Sequence, residues 1–209
     1  MENDIYKTIA AAAETVFKDR SSKFLSFAYP VTTPEEVKER LDELRKKYYN
    51  ATHHCYAYRL GPRGESYRVN DDGEPSGTAG RPILGQMLSA EVTDCLIVVV
   101  RYFGGTKLGV PGLINAYRTS AEEVLSVADV VEKTVDTIFR VVFPYVTMND
   151  VMKVVKDEQP RIVSQEFDNL CTMVLAVRQS KADILESKLS KTEGAQAERI
   201  DRNDHAEKQ

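Results

Sequence analysis

Two spacings of apolar residues divide the first half of the chain into strands and helices. Residues 17–31 predict a pair of strands or one bent strand, with a break at residues 20–23, and residues 53–60 alternate as a strand does. Residues 94–103 are apolar without polar alternation, which predicts a central strand covered on both of its faces. These three segments predict the sheet of an N-terminal domain.

Three other segments repeat apolar residues at helical spacing. Thr33 and Pro34 predict the cap and first turn of the first helix. The second helix ends near Ala90, and the third begins at Pro111. The three apolar stripes are Val37, Leu41, Leu44 and Tyr48; Ile83, Leu84, Met87 and Leu88; and Leu113, Ile114, Tyr117, Ala121, Val124 and Leu125. Together with the strands they predict a two-layer α/β domain.

The pattern changes near Val130, after which the segments are short, regular and almost free of glycine. The predicted order is strand, helix, strand, strand, helix, strand, which is the ferredoxin-like plan. The segments are residues 134–145, 148–157, 161–167, 171–178, 181–189 and 195–200. We therefore expect an α+β protein of two domains, residues 1–132 and residues 133–209.

Composition narrows the class of protein. The apolar fraction of 42% and the charged fraction of 29% are typical of a soluble globular protein. The net charge of −4 argues against bulk electrostatic binding to nucleic acid, so any basic surface must be a local patch. Three scattered cysteines, no basic and apolar leader at the start, and no apolar run of membrane length predict a cytoplasmic protein without a membrane partner.

Glycine is concentrated in one part of the chain. Ten of the eleven glycines and four of the eight prolines fall within residues 61–112. They form a first glycine string, residues 70–82, and a second glycine string, residues 101–112. Neither string matches a nucleotide-binding fingerprint. Each leads into a helix N-terminus, where backbone N–H groups and the helix dipole favour an anion, and we expect the two strings to lie side by side.

A basic and acid-free stretch accompanies the second string. Residues 96–120 contain Arg101, Lys107 and Arg118 and no acidic residue. Arg101 ends an otherwise apolar strand, where its charge must be paired or must reach solvent. The alternative to an anion site is that the glycines serve turns and packing while Arg101 pairs with an acidic residue of the first string. The acidic residues of that string are Asp71, Asp72 and Glu74.

The sequence His53-His54-Cys55 has the composition of a metal site but not its geometry. Successive strand residues point to opposite faces, so His54 is separated from the other two. Cys55 has no evident third group to orient a catalytic histidine. We therefore predict no metal, no other cofactor and no catalytic residue of this type.

Three segments carry a resemblance to a known family. They are residues 51–59 (ATHHCYAYR), residues 71–82 (DDGEPSGTAGRP) and residues 95–109 (CLIVVVRYFGGTKLG), and Cys55 stands where an aromatic residue is expected. The chain resembles the IMPACT family, in its bacterial YigZ/YvyE-like form, over essentially its whole length. The resemblance implies a first domain with the ribosomal-protein-like fold of elongation factor G domain IV and a second like domain V. Eukaryotic relatives control translation by binding the activator of a stress kinase; bacteria lack that kinase, so this part does not transfer.

Two hypotheses for function follow from the strings and the resemblance. The first is a non-enzymatic, translation-associated factor that binds RNA or the ribosome without DNA sequence specificity, regulates translation and can have a protein partner in the translation machinery. Its phosphate-binding residues are Arg59, Arg81, Arg101, Lys107 and Arg118, with Gly77, Gly80, Gly104 and Gly105.

The second hypothesis is an enzyme for a small phosphorylated or nucleotide substrate, in which Asp71, Asp72 or Glu74 acts as acid, base or Mg²⁺ ligand. A protein adapter is a third alternative.

Overall fold

The computed structural model describes residues 4–200, which form two compact units. The first unit is Ile5–Lys133, and the second runs from Thr134 onward and includes Asp4. Among the described residues, no helix is both long and apolar enough to cross a membrane.

The first unit contains seven strands and three helices. The strands are β1 (Ile5–Ile9), β2 (Ala13–Asp19), β3 (Ser22–Pro30), β4 (His53–Leu60), β5 (Ser66–Asn70), β6 (Cys95–Tyr102) and β7 (Val130–Thr134). The helices are α1 (Pro34–Lys47), α2 (Gly80–Ser89) and α3 (Gly109–Val127). An antiparallel sheet has the order β2-β3-β6-β4-β5, and β1 pairs separately with β7. Strand β6 is thus central, as predicted.

Both faces of β6 are covered, because the side chains that point to each face of the strand are apolar. Ile97 and Val99 face a core formed with α2 and α3. Leu96, Val98 and Val100 face a second core formed with α1. The two-layer arrangement predicted from the sequence is therefore wrong, and the unit has three layers. A strand without a polar face cannot leave one side to solvent.

Helix α1 begins where the sequence places it. The Glu36 N–H donates to Oγ1 of Thr33 over 3.2 Å, and Pro34 occupies the first turn, where its missing N–H is not needed. Three further strands, β1, β5 and β7, were not predicted. They are five residues long and mostly exposed or half-buried, so their sequences lack the apolar alternation that identifies a strand.

The second unit has the predicted β-α-β-β-α-β order. Its elements are β8 (Asp136–Pro144), α4 (Met148–Glu158), β9 (Arg161–Glu166), β10 (Leu170–Arg178), α5 (Gln179–Ser190) and β11 (Gln196–Ile200), with a short 3₁₀ turn at Tyr145–Thr147. The antiparallel sheet has the order β11-β8-β10-β9. Alternate residues of β8 and β10 form one core with both helices.

Candidate functional site

A buried charge pair lies at the end of the central strand. Arg101 is 4% exposed, and its guanidinium lies between the rings of Phe24 and Phe103, 5.5 Å from each centroid. Its Nη1 lies 2.6 Å from Oε1 of Glu74, whose side chain is also 4% exposed. Glu74 belongs to the first glycine string and Arg101 to the second, so the pair joins the two strings, which the sequence predicted to lie side by side.

Two further side chains converge on the same carboxylate oxygen. The hydroxyl of Tyr117, from α3, donates to Glu74 Oε1 over 2.7 Å. Nε2 of His53, from β4, lies 3.7 Å from that oxygen and donates only when the imidazole is cationic, because Nδ1 already donates to the Asp72 carbonyl over 2.7 Å. We call Arg101, Tyr117 and His53 the Glu74 socket.

The socket has more donors than Glu74 uses. Nε of Arg101 is buried and has no hydrogen-bond partner among the described residues. Nη2 of Arg101 has Ser22 Oγ at 3.4 Å, beyond the usual range for such a bond. Buried donors are normally satisfied, so an unused guanidinium N–H is an unusual feature of this cluster.

The thiol of Cys55 borders the socket as a neutral group. Its Sγ lies 3.0 Å from the Asp71 carbonyl and 3.3 Å from the Tyr117 oxygen, and its single S–H donates to one of the two at a time. Burial strongly raises the pKa of the Cys55 thiol and of the Tyr117 phenol, so both groups stay protonated at neutral pH. A thiol held in this form is not a ready nucleophile.

The predicted phosphate site at the N-terminus of α2 is occupied by the chain itself. The N–H groups of Gly77, Ala79 and Gly80 donate to the Asp71 carboxylate over 2.8, 3.0 and 2.8 Å. Helix α2 has no capping side chain at Ala79, so Asp71 supplies the missing acceptor from the preceding loop. Asp71 therefore takes the backbone donors that the sequence offers to a phosphate at this end of α2.

Asp72 attaches the first glycine string to β4. Its carboxylate accepts the His54 N–H over 2.5 Å. The same carboxylate lies 3.8 Å from Nδ1 of His54, and burial lowers the pKa of this histidine. Within residues 4–200, no group of three histidine, cysteine or carboxylate side chains has the arrangement of a metal site.

The predicted glycines have structural uses. A Cβ added at Gly80 would lie 2.8 Å from Asn70 N, and one added at Gly104 would lie 2.1 Å from the Ser21 carbonyl carbon. Gly77 and Gly105 have φ values of +78° and +86°, which glycine adopts most readily. Close approach and turns therefore explain all four positions.

The predicted basic residues divide into three groups. Arg59 pairs in register with Cys95, whereas His53 pairs with Arg101, so Arg59 lies at the opposite end of β4 and does not join the site. Its guanidinium donates to the Val92 carbonyl over 2.7 Å. Arg101 is buried against Glu74. Arg81, Lys107 and Arg118 are exposed, in the first turn of α2, just before α3 and on α3 respectively.

The N-terminus of α3, like that of α2, has no capping side chain and no acidic residue in its first turn. At α2 the Asp71 carboxylate accepts the backbone N–H groups, whereas no carboxylate among the described residues is found to accept those of α3, and the exposed Lys107 precedes them. A groove of about 320 Å³ lies elsewhere, between the later parts of α2 and α3. Its lining residues are Gln86, Ser89, Ala90, Glu122, Leu125 and Ser126, and none belongs to a glycine string.

The sequence predicts Tyr117 on the apolar stripe of the third helix and does not indicate that it belongs to the site. The available signal was its hydroxyl, because a tyrosine on a buried face needs a hydrogen-bond partner. The sequence offered His53 only as a metal ligand or as a catalytic partner of Cys55. Its role depends on which acidic residue of the first string turns inward, which the sequence does not specify.

Comparisons with known proteins identify relatives over most of the chain. The sequence profile of the Impact N-terminal domain matches residues 20–125. The IMPACT family member YvyE of Bacillus subtilis is 37% identical over 154 residues, covering 74% of this chain and 71% of its own. The IMPACT family member YigZ of Escherichia coli is 29% identical over 185 residues, covering 87% and 91%. A crystal structure described as a hypothetical protein aligns with 96% of this chain and 99% of its own, at 26% identity and a TM-score of 0.73.

Proposed function

This chain belongs to the IMPACT family, and from that membership we propose that it is a non-enzymatic, translation-associated factor. In this proposal it binds RNA or the ribosome in the cytoplasm and regulates translation, with a protein of the translation machinery as a further partner. Likenesses of the first unit to elongation factor G domain IV and of the second to domain V are part of the same proposal. The family resemblance, in which eukaryotic relatives control translation, supports it.

The observation that carries the proposal is the open N-terminus of α3. Lys107 is exposed beside uncapped backbone N–H groups, and the segment from residue 96 to residue 120 has no acidic residue. A helix N-terminus of this kind favours a phosphate group. Arg118 and Arg81 add exposed positive charge on α3 and α2. We assign the phosphate contacts to these three basic residues.

The acidic residues of the first string do not oppose this assignment. Asp71 accepts backbone N–H groups of α2, and Glu74 pairs with Arg101, so both carboxylates are directed at donors of the chain. Asp72 accepts the His54 N–H. A phosphate that approaches the exposed basic residues therefore meets a less negative electrostatic potential than the count of acidic residues in the first string suggests.

Salt titration of RNA and ribosome binding tests the proposal. Lys107→Ala and Arg118→Ala should each reduce the slope of log K against log salt by about 0.7 to 0.9, the contribution of one phosphate. Lys153→Ala, which removes an exposed charge from the second unit, is the matched control and should leave the slope unchanged. Unchanged slopes in both first-unit variants would exclude these residues as phosphate contacts.

One observation favours the enzyme hypothesis. Tyr117 and Cys55, both with strongly raised pKa, adjoin a buried carboxylate, and clusters of this kind are frequent at active sites. A catalytic Mg²⁺ would take one or two carboxylates together with substrate phosphates. Calorimetric titration of Mg²⁺ and Mn²⁺, with and without a nucleotide, tests it. Saturable binding that disappears in Asp72→Asn would favour the enzyme over the binding factor.

A further inference from the structure

We propose that the Glu74 socket is a binding site for an oxyanion from outside the chain, a phosphate or carboxylate group, and that Glu74 is its intramolecular occupant. The site uses none of the three exposed basic residues assigned above, and it goes beyond the proposed function because it requires no RNA. It uses Arg101, Tyr117 and His53, which come from β6, α3 and β4.

The socket has more donors than the single Glu74 oxygen that they contact can use. The contacts of Arg101 Nη1 and Tyr117 OH, and the approach of His53 Nε2, are all directed at Oε1. Arg101 Nε has no partner and Nη2 has only a distant one. A phosphate carries up to four acceptor oxygens, and guanidinium groups bind phosphate and carboxylate through paired N–H groups. Such a ligand could accept hydrogen bonds from Arg101 N–H groups that Glu74 does not contact.

Exchange of one anion for another keeps the buried charge compensated. Removing Glu74 alone would leave the Arg101 guanidinium buried without a counter-charge, which is strongly unfavourable. An incoming oxyanion replaces the carboxylate and restores the pair. The other two acidic residues of the string do not compete for the socket, because Asp71 holds the N–H groups of α2 and Asp72 holds the His54 N–H.

The local backbone allows Glu74 to leave. Gly73 and Gly77 stand on either side of it with φ values of +85° and +78°, and both tolerate conformations that other residues avoid. Between them, Pro75 and Ser76 are exposed. The backbone of this segment is held by Asp71, whose carbonyl accepts the Glu74 N–H over 2.9 Å and whose carboxylate accepts the Gly77 N–H over 2.8 Å. The movable segment is therefore short, and Glu74 is its buried anchor.

The walls of the socket explain its access and its selectivity. Phe103, which covers one face of the Arg101 guanidinium, is itself 46% exposed, so that side of the socket borders solvent. The Tyr117 phenol stays protonated and donates a hydrogen bond at neutral pH. Directional donors of this kind distinguish an oxyanion from chloride.

A fluorescent label on the movable segment tests the proposal. The three native cysteines are buried, so an environment-sensitive dye can be attached selectively to Ser76→Cys. The labelled chain is titrated with inorganic phosphate, with acetate, and with chloride at matched ionic strength. We expect a saturable change in emission with phosphate or acetate and none with chloride. Which of the two oxyanions saturates tells whether the ligand carries a phosphoryl or a carboxyl group.

Matched variants locate the anion. Glu74→Gln should bind about tenfold more tightly than the parent chain, because the neutral amide competes less and the open state is more populated. Tyr117→Phe should weaken binding several-fold, and Lys107→Ala should not change it. No saturable response in the parent chain or in Glu74→Gln would overturn the proposal. So would a response lost in Lys107→Ala but kept in Tyr117→Phe, whereas failure of RNA binding alone would affect only the proposed function.

Discussion

Arg101 Nη1 and Glu74 Oε1 lie 2.6 Å apart although 27 positions of the sequence separate them. Neither side chain is more than 5% exposed. Arg101 closes the central strand and Glu74 closes the loop that precedes α2, so this contact fixes the first glycine string against the sheet. A buried pair of this kind matters chiefly because loss of either partner leaves a charge without compensation.

Breaking the pair from one side should destabilise the first unit. In chloride buffer, Glu74→Ala or Arg101→Met should each cost about 3 to 5 kcal/mol, because one charge is left buried alone. The double variant should recover much of that loss. Native-state hydrogen exchange at β6 amides measures the local free energy without assuming that the whole chain unfolds in one step. Losses that simply add in the double variant would show that the two side chains are not coupled.

Two glycines should respond to alanine in opposite directions. At Gly104 an added Cβ would lie 2.1 Å from the backbone carbon of Ser21, so the β2–β3 turn must move, and we expect a loss of about 1 to 3 kcal/mol. At Gly85, within α2, an added Cβ meets nothing within 4 Å, so helix propensity should raise stability by up to about 1 kcal/mol. Urea unfolding of the two variants compares them. Equal effects would contradict the packing at Gly104.

Acidification should weaken the fold through His54. Burial lowers the pKa of His54, and the nearby Asp72 carboxylate only partly opposes this. The unfolded chain, with a pKa of about 6.5, therefore binds a proton before the folded chain does. The stability that comes from neutral His54 is complete above about pH 6.5 and is lost as the pH falls toward the folded pKa.

Replacing His54 should make this pH dependence smaller. The urea midpoint of the parent chain should fall more between about pH 7.5 and pH 5.5 than that of His54→Gln, because only the parent carries the buried imidazole. Asp72, Arg45 and His53, the charged groups that act on His54, are unchanged in the variant. An equal fall in both proteins would assign the acid sensitivity to other groups.

The first unit should fold as an isolated fragment if the fragment includes β7. Strand β7 spans Val130–Thr134 and pairs with β1, and Ala10 N–H donates to the Asp129 carbonyl over 2.8 Å. A fragment of residues 1–134 should unfold cooperatively by circular dichroism. A fragment of residues 1–129, which lacks β7, should melt at a lower temperature. The expectation would be contradicted if residues 1–134 were soluble only when residues 135–209 are attached.

Elements with a strong local signal could be predicted from the sequence. Strand β6 is apolar at every position from Cys95 to Val100, and α1 begins with a capping threonine and a proline. Strand β5 has the sequence SYRVN and is mostly exposed, so burial imposes no pattern on it. Its place in the sheet is set by pairing with β4, which is a tertiary property.

The site was predictable only as a set of alternatives. Three acidic residues were candidate partners for Arg101, and the structure gives that role to Glu74. Asp71 and Asp72 turn to backbone N–H groups instead, because the positive φ values of Asp72 and Gly73 reverse the chain between them and Glu74. The sequence did not specify how β4 pairs with β6, and the antiparallel register places His53 opposite Arg101 and Arg59 at the far end, opposite Cys95.

The central position of β6 has a consequence for synthesis of the chain. Strands β3 and β4 belong to one sheet only because β6 lies between them, yet β6 is the last of the five strands to be made. Until residue 102 is available, the β2–β3 and β4–β5 hairpins each keep an unpaired edge and an uncovered apolar face. Non-local closure of this type slows folding and exposes intermediates to aggregation. A nascent chain that stalls before β6 would therefore depend on chaperones to stay soluble.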